Sequence, residues 1–159
     1  KQRDIRVTLG PALVARLRRS LMDRDVPVWL NAPLTELIVE NGLVSGAFVE
    51  HAGVKKRVTA RQGVLIATGG FSHNSAMRKR YQQAPISGDW TAAAPGATGD
   101  GIVIGEKVGA DLGLMGSAWW SPTYRVPDGS LLALIAGKYN PGSIMVNKLG
   151  TRFAKEAQP

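Results

Sequence analysis

Five consecutive apolar residues, Gly63-Val64-Leu65-Ile66-Ala67, run directly into Thr68-Gly69-Gly70. An unbroken apolar run of this length, without polar alternation, is the pattern of a strand covered on both faces. Such strands belong to sheets sandwiched by helices, so this run points to an α/β fold and is the candidate for its central sheet. In open α/β sheets ligands sit beyond the carboxyl ends of the strands, which is where Thr68, Gly69 and Gly70 fall. Glycine there leaves backbone N–H groups accessible to a phosphate or a polyhydroxyl chain, and Thr68 adds a hydroxyl. Two glycines after a strand also make an ordinary turn, and the residues alone leave both readings open.

The flanking segments supply the rest of an α/β unit. Leu13, Leu17 and Leu21 recur at four-residue spacing with Val14 beside them, which predicts an amphipathic helix over residues 10–25 with one buried face, opened by Gly10-Pro11. Residues 26–30 read as a short strand, and Pro33 bends the chain before a second run at 34–40. Asn41-Gly42 is a hairpin signal because both residues tolerate positive φ. With a further turn near Ala52-Gly53, residues 34–60 read as a small antiparallel meander. Beyond the glycines, helices are expected at 75–82, with His73-Asn74-Ser75 as its cap, and from Thr98 to about residue 109. The stretch 112–137 is irregular, and 142–146 reads as another strand.

Composition narrows the function. With 159 residues, 44% of them apolar, the chain can bury one core. It has no cysteine and only two histidines, His51 and His73, which removes disulfide frameworks, iron–sulfur clusters and thiolate or all-histidine metal centres; no metal is expected. No apolar run approaches the ~20 residues of a membrane span, so the expectation is a soluble, cytoplasmic protein. The net charge of +8 raises the question of nucleic acid, but Arg16, Arg18, Arg19 and Arg24 flank a helical stripe and Lys55, Lys56 and Arg57 lie in a hairpin. Neither group interleaves with stacking aromatics, so both read as solvated faces. The opening Lys1-Gln2-Arg3-Asp4 is neither a secretory signal nor an initiator methionine, and the chain stops at Lys155-Glu156-Ala157-Gln158-Pro159; both ends read as cuts.

A second polar constellation, Thr98-Gly99-Asp100-Gly101, places a carboxylate at the opening of a helix. It serves either as an N-cap by Thr98 or Asp100 or as an acceptor for ligand hydroxyls. Trp119 and Trp120 either line a hydrophobic pocket or cover the core with their N–H groups at the surface. Arg152 and Glu156 have the spacing of a helix-face pair.

The order of these features, a helix, a strand broken at Ala32-Pro33, a meander, then IATGGF, ATGDG, WWSPT and PGSIMVNKLGTRFAKEAQP, resembles the second half of the FAD domain in the fumarate reductase and 3-ketosteroid dehydrogenase superfamily, nearest its ketosteroid branch. The resemblance covers nearly the whole chain. It implies a partial Rossmann-like FAD-binding domain over residues 1–120, with the start of a substrate or capping domain at 121–159. It implies FAD contacts through Ala67, Thr68, Gly69 and Gly70, through Gly99 and Asp100, and through main-chain groups near Ala32, Pro33 and Leu34 that pass the adenine. Asn147, Gly150, Arg152, Phe153 and Glu156 match the family's N-x-x-G-x-R-F-x-x-E pattern beside the substrate site. Trp119, Trp120, Ser121, Arg152 and Glu156 are then the candidate substrate-binding residues.

Where the dicarboxylate-reducing branch has a histidine in Gln-Phe-His-Pro-Thr, this chain reads Trp119-Trp120-Ser121-Pro122-Thr123, and Ser121 supplies no imidazole. That branch's proton-donating arginine and the ketosteroid branch's tyrosine both fall beyond Pro159, so no catalytic residue is assigned. The implied activity is removal of hydrogen from a carbon–carbon bond next to a carbonyl in a steroid or other ring ketone, by a larger flavoenzyme of which this chain is an internal fragment. Reduction of an activated alkene by a fumarate reductase-like parent is the alternative, and a non-catalytic basic binding module is the rival from another class. No G-x-G-x-x-G follows a strand, and that loop is what holds a dinucleotide pyrophosphate on a helix N-terminus. Titration of the 159-residue chain with FAD, followed by flavin fluorescence, is therefore expected to show weak or no binding beside a binding full-length parent; failure of both would remove the flavoprotein reading.

Overall fold

The structure, a computed structural model, describes residues 8–135 and 137–156. The two chain ends that read as cuts, residues 1–7 and 157–159, lie outside the described residues. Contacts divide the chain into two compact units, Lys1–Val64 and Leu65–Pro159.

The first unit holds helix α1 (Leu9–Met22) and a three-stranded antiparallel sheet of β1 (Leu34–Glu40), β2 (Leu43–His51) and β3 (Val54–Thr59), in the order β1-β2-β3. The meander therefore forms as expected, and its turns explain why. Asn41 and Gly42 both take positive φ (52° and 77°), as do Ala52 and Gly53 (54° and 72°), the combination whose twist matches that of the flanking strands. Register follows from these tight turns, with Leu37 opposite Ala47 and Phe48 opposite Arg57. Leu37, Ile38 and Ala47 form the buried apolar centre. On one face, Lys55 and Arg57 of β3 reach across β2 to Glu36 (3.4 Å) and Glu40 (2.7 Å) of β1, with the Lys55 ammonium over the Phe48 ring. The basic cluster of β3 is thus spent largely on cross-strand pairs at the surface, each worth at most about 1 kcal/mol.

Two expectations in this unit fail. Residues 26–30 form no strand; Trp29 instead stacks on His51, with ring centroids 4.9 Å apart, and Lys56 Nζ lies 5.2 Å from the Trp29 centroid and 3.4 Å from His51 Nδ1. Helix α1 forms where its periodicity predicts, but its apolar stripe is not buried, and Leu13, Val14 and Leu17 are all exposed. Side-chain spacing and the proline in the first turn mark where the helix lies, whereas burying its stripe needs a second element against it. Among the described residues α1 packs on no other named element.

The second unit carries helices α2 (Ser75–Tyr81) and α3 (Asp100–Lys107), a short hairpin of β4 (Thr123–Arg125) and β5 (Leu131–Ala133), and a single 3₁₀ turn at Gly137–Tyr139. Asn74 caps α2 as the sequence predicts, its side-chain oxygen accepting from the Met77 amide at 3.0 Å. The β4–β5 hairpin falls inside the stretch read as irregular, because three-residue strands are too short to show alternation. The expected strand at 142–146 reduces to one bridge between Val146 and Arg152.

The apolar run 63–67 is the largest correction. It is not a strand here, since a strand requires a ladder partner and none pairs with it among the described residues. Its side chains still alternate, Val64 and Ile66 half-buried and Leu65 91% exposed, so the chain is extended without a sheet.

Gly46 is the tightest point of the meander. A Cβ there would lie 2.2 Å from the Val58 carbonyl oxygen, and backbone in a ladder yields little. Gly46→Ala is expected to destabilise the meander by about 1–3 kcal/mol, read as a lower urea midpoint; an unchanged midpoint would show that β3 shifts freely.

Candidate functional site

Thr68, Gly69 and Gly70 are held against the start of α3 by two kinds of close approach. The Gly99 amide donates to the Gly70 carbonyl at 3.0 Å. At Gly101 a Cβ would lie 2.2 Å from Thr68 Oγ1 and 2.5 Å from Ile66 Cγ2, so the extended 66–68 segment rests directly on the bare backbone of α3. Gly99 is enclosed in the same way, with Met77 Sδ and Phe71 Cβ within 3 Å of where a Cβ would stand, and its φ of +83° is left-handed. Asn74 Nδ2 donates to the Thr98 carbonyl (2.9 Å) and the His73 amide to that of Ala97 (2.9 Å), lacing the loop before α2 to the loop before α3.

Gly69 and Gly70 behave oppositely. An added Cβ at either would meet nothing within 4 Å, and both residues are exposed. Ala67, Thr68, Gly69, Gly101 and Ile102 border an open cleft of about 300 Å³. Of the four glycines in the two constellations, Gly99 and Gly101 serve internal packing while Gly69 and Gly70 present backbone to open space.

Asp100 stands in the first turn of α3 with its carboxylate exposed, where the helix dipole favours a negative charge. The N-cap is Gly99, without a side-chain cap, so neither Thr98 nor Asp100 caps the helix as an ordinary N-cap reading requires. The Thr98 hydroxyl donates to Asp100 Oδ2 at 2.8 Å and orients that carboxylate. Leu34 opens β1 in the first unit, half-buried opposite Val49.

A second cleft, about 370 Å³, lies in the same unit and is walled by Trp90, Trp119, Trp120 and Ile135, with Ser121 and Arg78 on its lining. The sequence reading named Trp119, Trp120 and Ser121 but missed Trp90 and Arg78, which arrive from the Pro- and Gly-rich loop and from α2. Arg78 offered no sequence signal, since a basic residue on a short helix reads as surface. Trp119 is fully exposed and Trp120 is 60% exposed.

Arg152 and Glu156 do not line this cleft. They pair with each other, but in a loop and not on a helix face. Glu156 is 5% exposed; its carboxylate receives the Arg152 guanidinium and the Met145 amide, the latter at 2.7 Å. Asn147 Oδ1 accepts from the Leu149 and Thr151 amides, closing the turn between them.

Residues 1–159 match the FAD binding domain family. The chain belongs to that family. FAD, the cofactor expected from the sequence, is the cofactor of its family, and the open backbone at Gly69 and Gly70 fits such a group. The chain is 46% identical over 96% of its length to 3-oxosteroid 1-dehydrogenase of Mycobacterium tuberculosis strain H37Rv, of which it spans 28%. It is 34% identical over 92% of its length to NADH:acrylate oxidoreductase of Vibrio harveyi, spanning 15% of that protein. Among solved structures, 3-ketosteroid delta1-dehydrogenase from Sterolibacterium denitrificans, in complex with 1,4-androstadiene-3,17-dione, superposes with a TM-score of 0.87 at 41% identity over 95% of this chain and 28% of that one. A flavocytochrome c3 fumarate reductase superposes with a TM-score of 0.70 at 29% identity over 94% of this chain and 26% of that one. Among the described residues no helix is long and apolar enough to cross a membrane.

The Arg152 hydrogen bond, followed by the Met145 amide, lowers the Glu156 pKa from 4.5 to about 2. Because the folded value lies below the unfolded one, the pair stabilises the 145–156 loop fully above pH 4.5 and loses that contribution as pH falls toward 2. Glu156→Gln is expected to remove this dependence: acid titration of stability should slope downward below pH 4.5 in the natural chain and less steeply in the variant, whereas equal slopes would show that the pair does not form.

Proposed function

We propose that this chain is the FAD-contacting part of an FAD-dependent oxidoreductase of the 3-oxosteroid dehydrogenase type, cytoplasmic, which removes hydrogen from a carbon–carbon bond next to a ring carbonyl. The observation that carries the substrate class is the cleft walled by three tryptophans. Flat apolar walls suit a fused-ring ketone, whose binding is mostly burial of apolar surface with few polar contacts. The similarity to 3-oxosteroid 1-dehydrogenase over nearly the whole chain supports the same reading. The cleft draws residues from both sides of position 120, which supports a cofactor domain over 1–120 meeting a substrate domain that begins at 121–159.

Bound FAD would supply a hydride acceptor, with the accompanying proton left to a base of the holoenzyme. The chain's own residues bind and orient. Backbone N–H groups of Thr68, Gly69 and Gly70 would hold the cofactor together with Ala67, Gly99 would let Asp100 reach a cofactor hydroxyl, and the main chain at Leu34 would serve the adenine. Trp119 and Trp120 receive the rings of the substrate and keep water from them, with Ser121 at the edge. Arg152 and Glu156 act through the fixed loop they close within the substrate domain.

The test is turnover by the FAD-loaded holoenzyme that contains this chain, with a 3-oxosteroid or fumarate as substrate and an artificial electron carrier. Steroid dehydrogenation is expected, with Trp120→Ala raising KM about tenfold, equivalent to about 1.4 kcal/mol of lost binding. Reduction of fumarate without steroid turnover would move the protein to the alkene-reducing branch.

A further inference from the structure

Arg78 is 4% exposed, yet the groups it donates hydrogen bonds to are neutral. Its Nε donates to Gln82 Oε1 at 2.9 Å, and its Nη1 donates to the carbonyls of Ser72 (3.3 Å) and Ser87. Its Cζ lies 5.9 Å from the centroid of the Trp120 ring. These contacts draw on four separate segments: the loop before α2, the end of α2, the Pro- and Gly-rich loop, and the segment entering the β4–β5 hairpin. Burying a cation is unfavourable unless hydrogen bonds and charge partners replace its water. Here two backbone carbonyls, a side-chain amide and an aromatic face do so. Only a planar guanidinium presents donors at the spacing these acceptors require; a lysine ammonium offers a single point.

Ser72, Gln82 and Trp120 all line the aromatic cleft, as does Arg78 itself. Trp120 is 60% exposed and borders the same cleft as Arg78, so the guanidinium contact bears on a ring otherwise largely open to solvent. A guanidinium within ~6 Å of an indole centroid is attracted to its face.

We propose that Arg78 is a positioning residue for ring-ligand binding: anchored on the carbonyls of Ser72 and Ser87, its guanidinium holds the Trp120 ring, so that the indole stands as a preformed wall of the cleft. The inference rests on the substrate reading above and adds the residue that sets the geometry of the wall. Fixing the ring before binding removes an ordering cost at the moment of association. The effect belongs to ligand affinity and not to the chemical step.

The experiment uses the FAD-loaded holoenzyme and the probe 1,4-androstadiene-3,17-dione, titrated by the change in flavin absorbance. Arg78→Met and Trp120→Ala are each expected to weaken binding about tenfold with FAD content unchanged, the Arg78→Met loss falling on KM for a 3-oxosteroid while its kcat stays within about twofold. The double variant is expected to bind no more weakly than Trp120→Ala alone, because Arg78 acts through the ring. A merely structural arginine would give losses that multiply in the double variant, and that result overturns the proposal, as does unchanged affinity in Arg78→Met. If Arg78→Met fails to fold, Arg78→Lys carries the test: weakened binding with full FAD content supports it, and natural affinity overturns it. Natural holoenzyme that holds FAD but binds no steroid overturns the substrate reading and this inference together, whereas natural binding with a neutral Arg78 variant overturns this inference alone.

Discussion

The second unit depends on a contact with no side chain on one side of it. Gly101 leaves the first turn of α3 bare, and Ile66 and Thr68 occupy the space a methyl group would need. The extended segment is thereby seated on the helix, and the hydrogen bond from the Gly99 amide to the Gly70 carbonyl closes the join. Everything nearby follows from it. The 66–70 segment turns where it does, Gly69 and Gly70 face open space, and the Asp100 carboxylate comes to the mouth of the same helix. Side chains packed directly on bare helix backbone in this way leave little room to shift, which suits a surface that has to meet a cofactor without reorganising.

The aromatic cleft is built by a different device. Its walls come from loops and a short hairpin, elements with little apolar burial of their own, and they are drawn together by a buried cation that needs oxygens and a π face around it. Arg78 organises polar backbone where an apolar core is thin. The Arg152–Glu156 pair does the same for the 145–156 loop, with the carboxylate as the buried partner and the guanidinium half out in water. Both unions tie irregular chain to a fixed geometry through charge-assisted hydrogen bonds.

Legibility in the sequence tracked the range of the interactions involved. The meander was readable because Asn41-Gly42 and Ala52-Gly53 set strand direction and register within a few residues. The cap at Asn74 and the three helices were readable for the same reason. The run at 63–67 was misread because its apolar character specifies burial but supplies no ladder partner. Residues 26–30 went wrong similarly, Trp29 finding His51 in place of a neighbouring strand. Within the candidate site, Thr68, Gly69, Gly70 and Asp100 were visible as motifs, whereas Trp90 and Arg78 were not, since their neighbours lie far along the chain.

By itself the sequence determined where the chain turns, which segments are helical, and the family to which the whole length belongs, since these follow from φ preferences, side-chain periodicity and ordered short motifs. Only the tertiary structure decided how the glycines divide their labour. Four of them look alike in IATGGF and ATGDG, yet two are closed by Thr68, Ile66, Phe71 and Met77 while two open onto space. A glycine's role is set by the atoms opposite its missing Cβ, and those atoms are brought there by packing between segments about thirty residues apart.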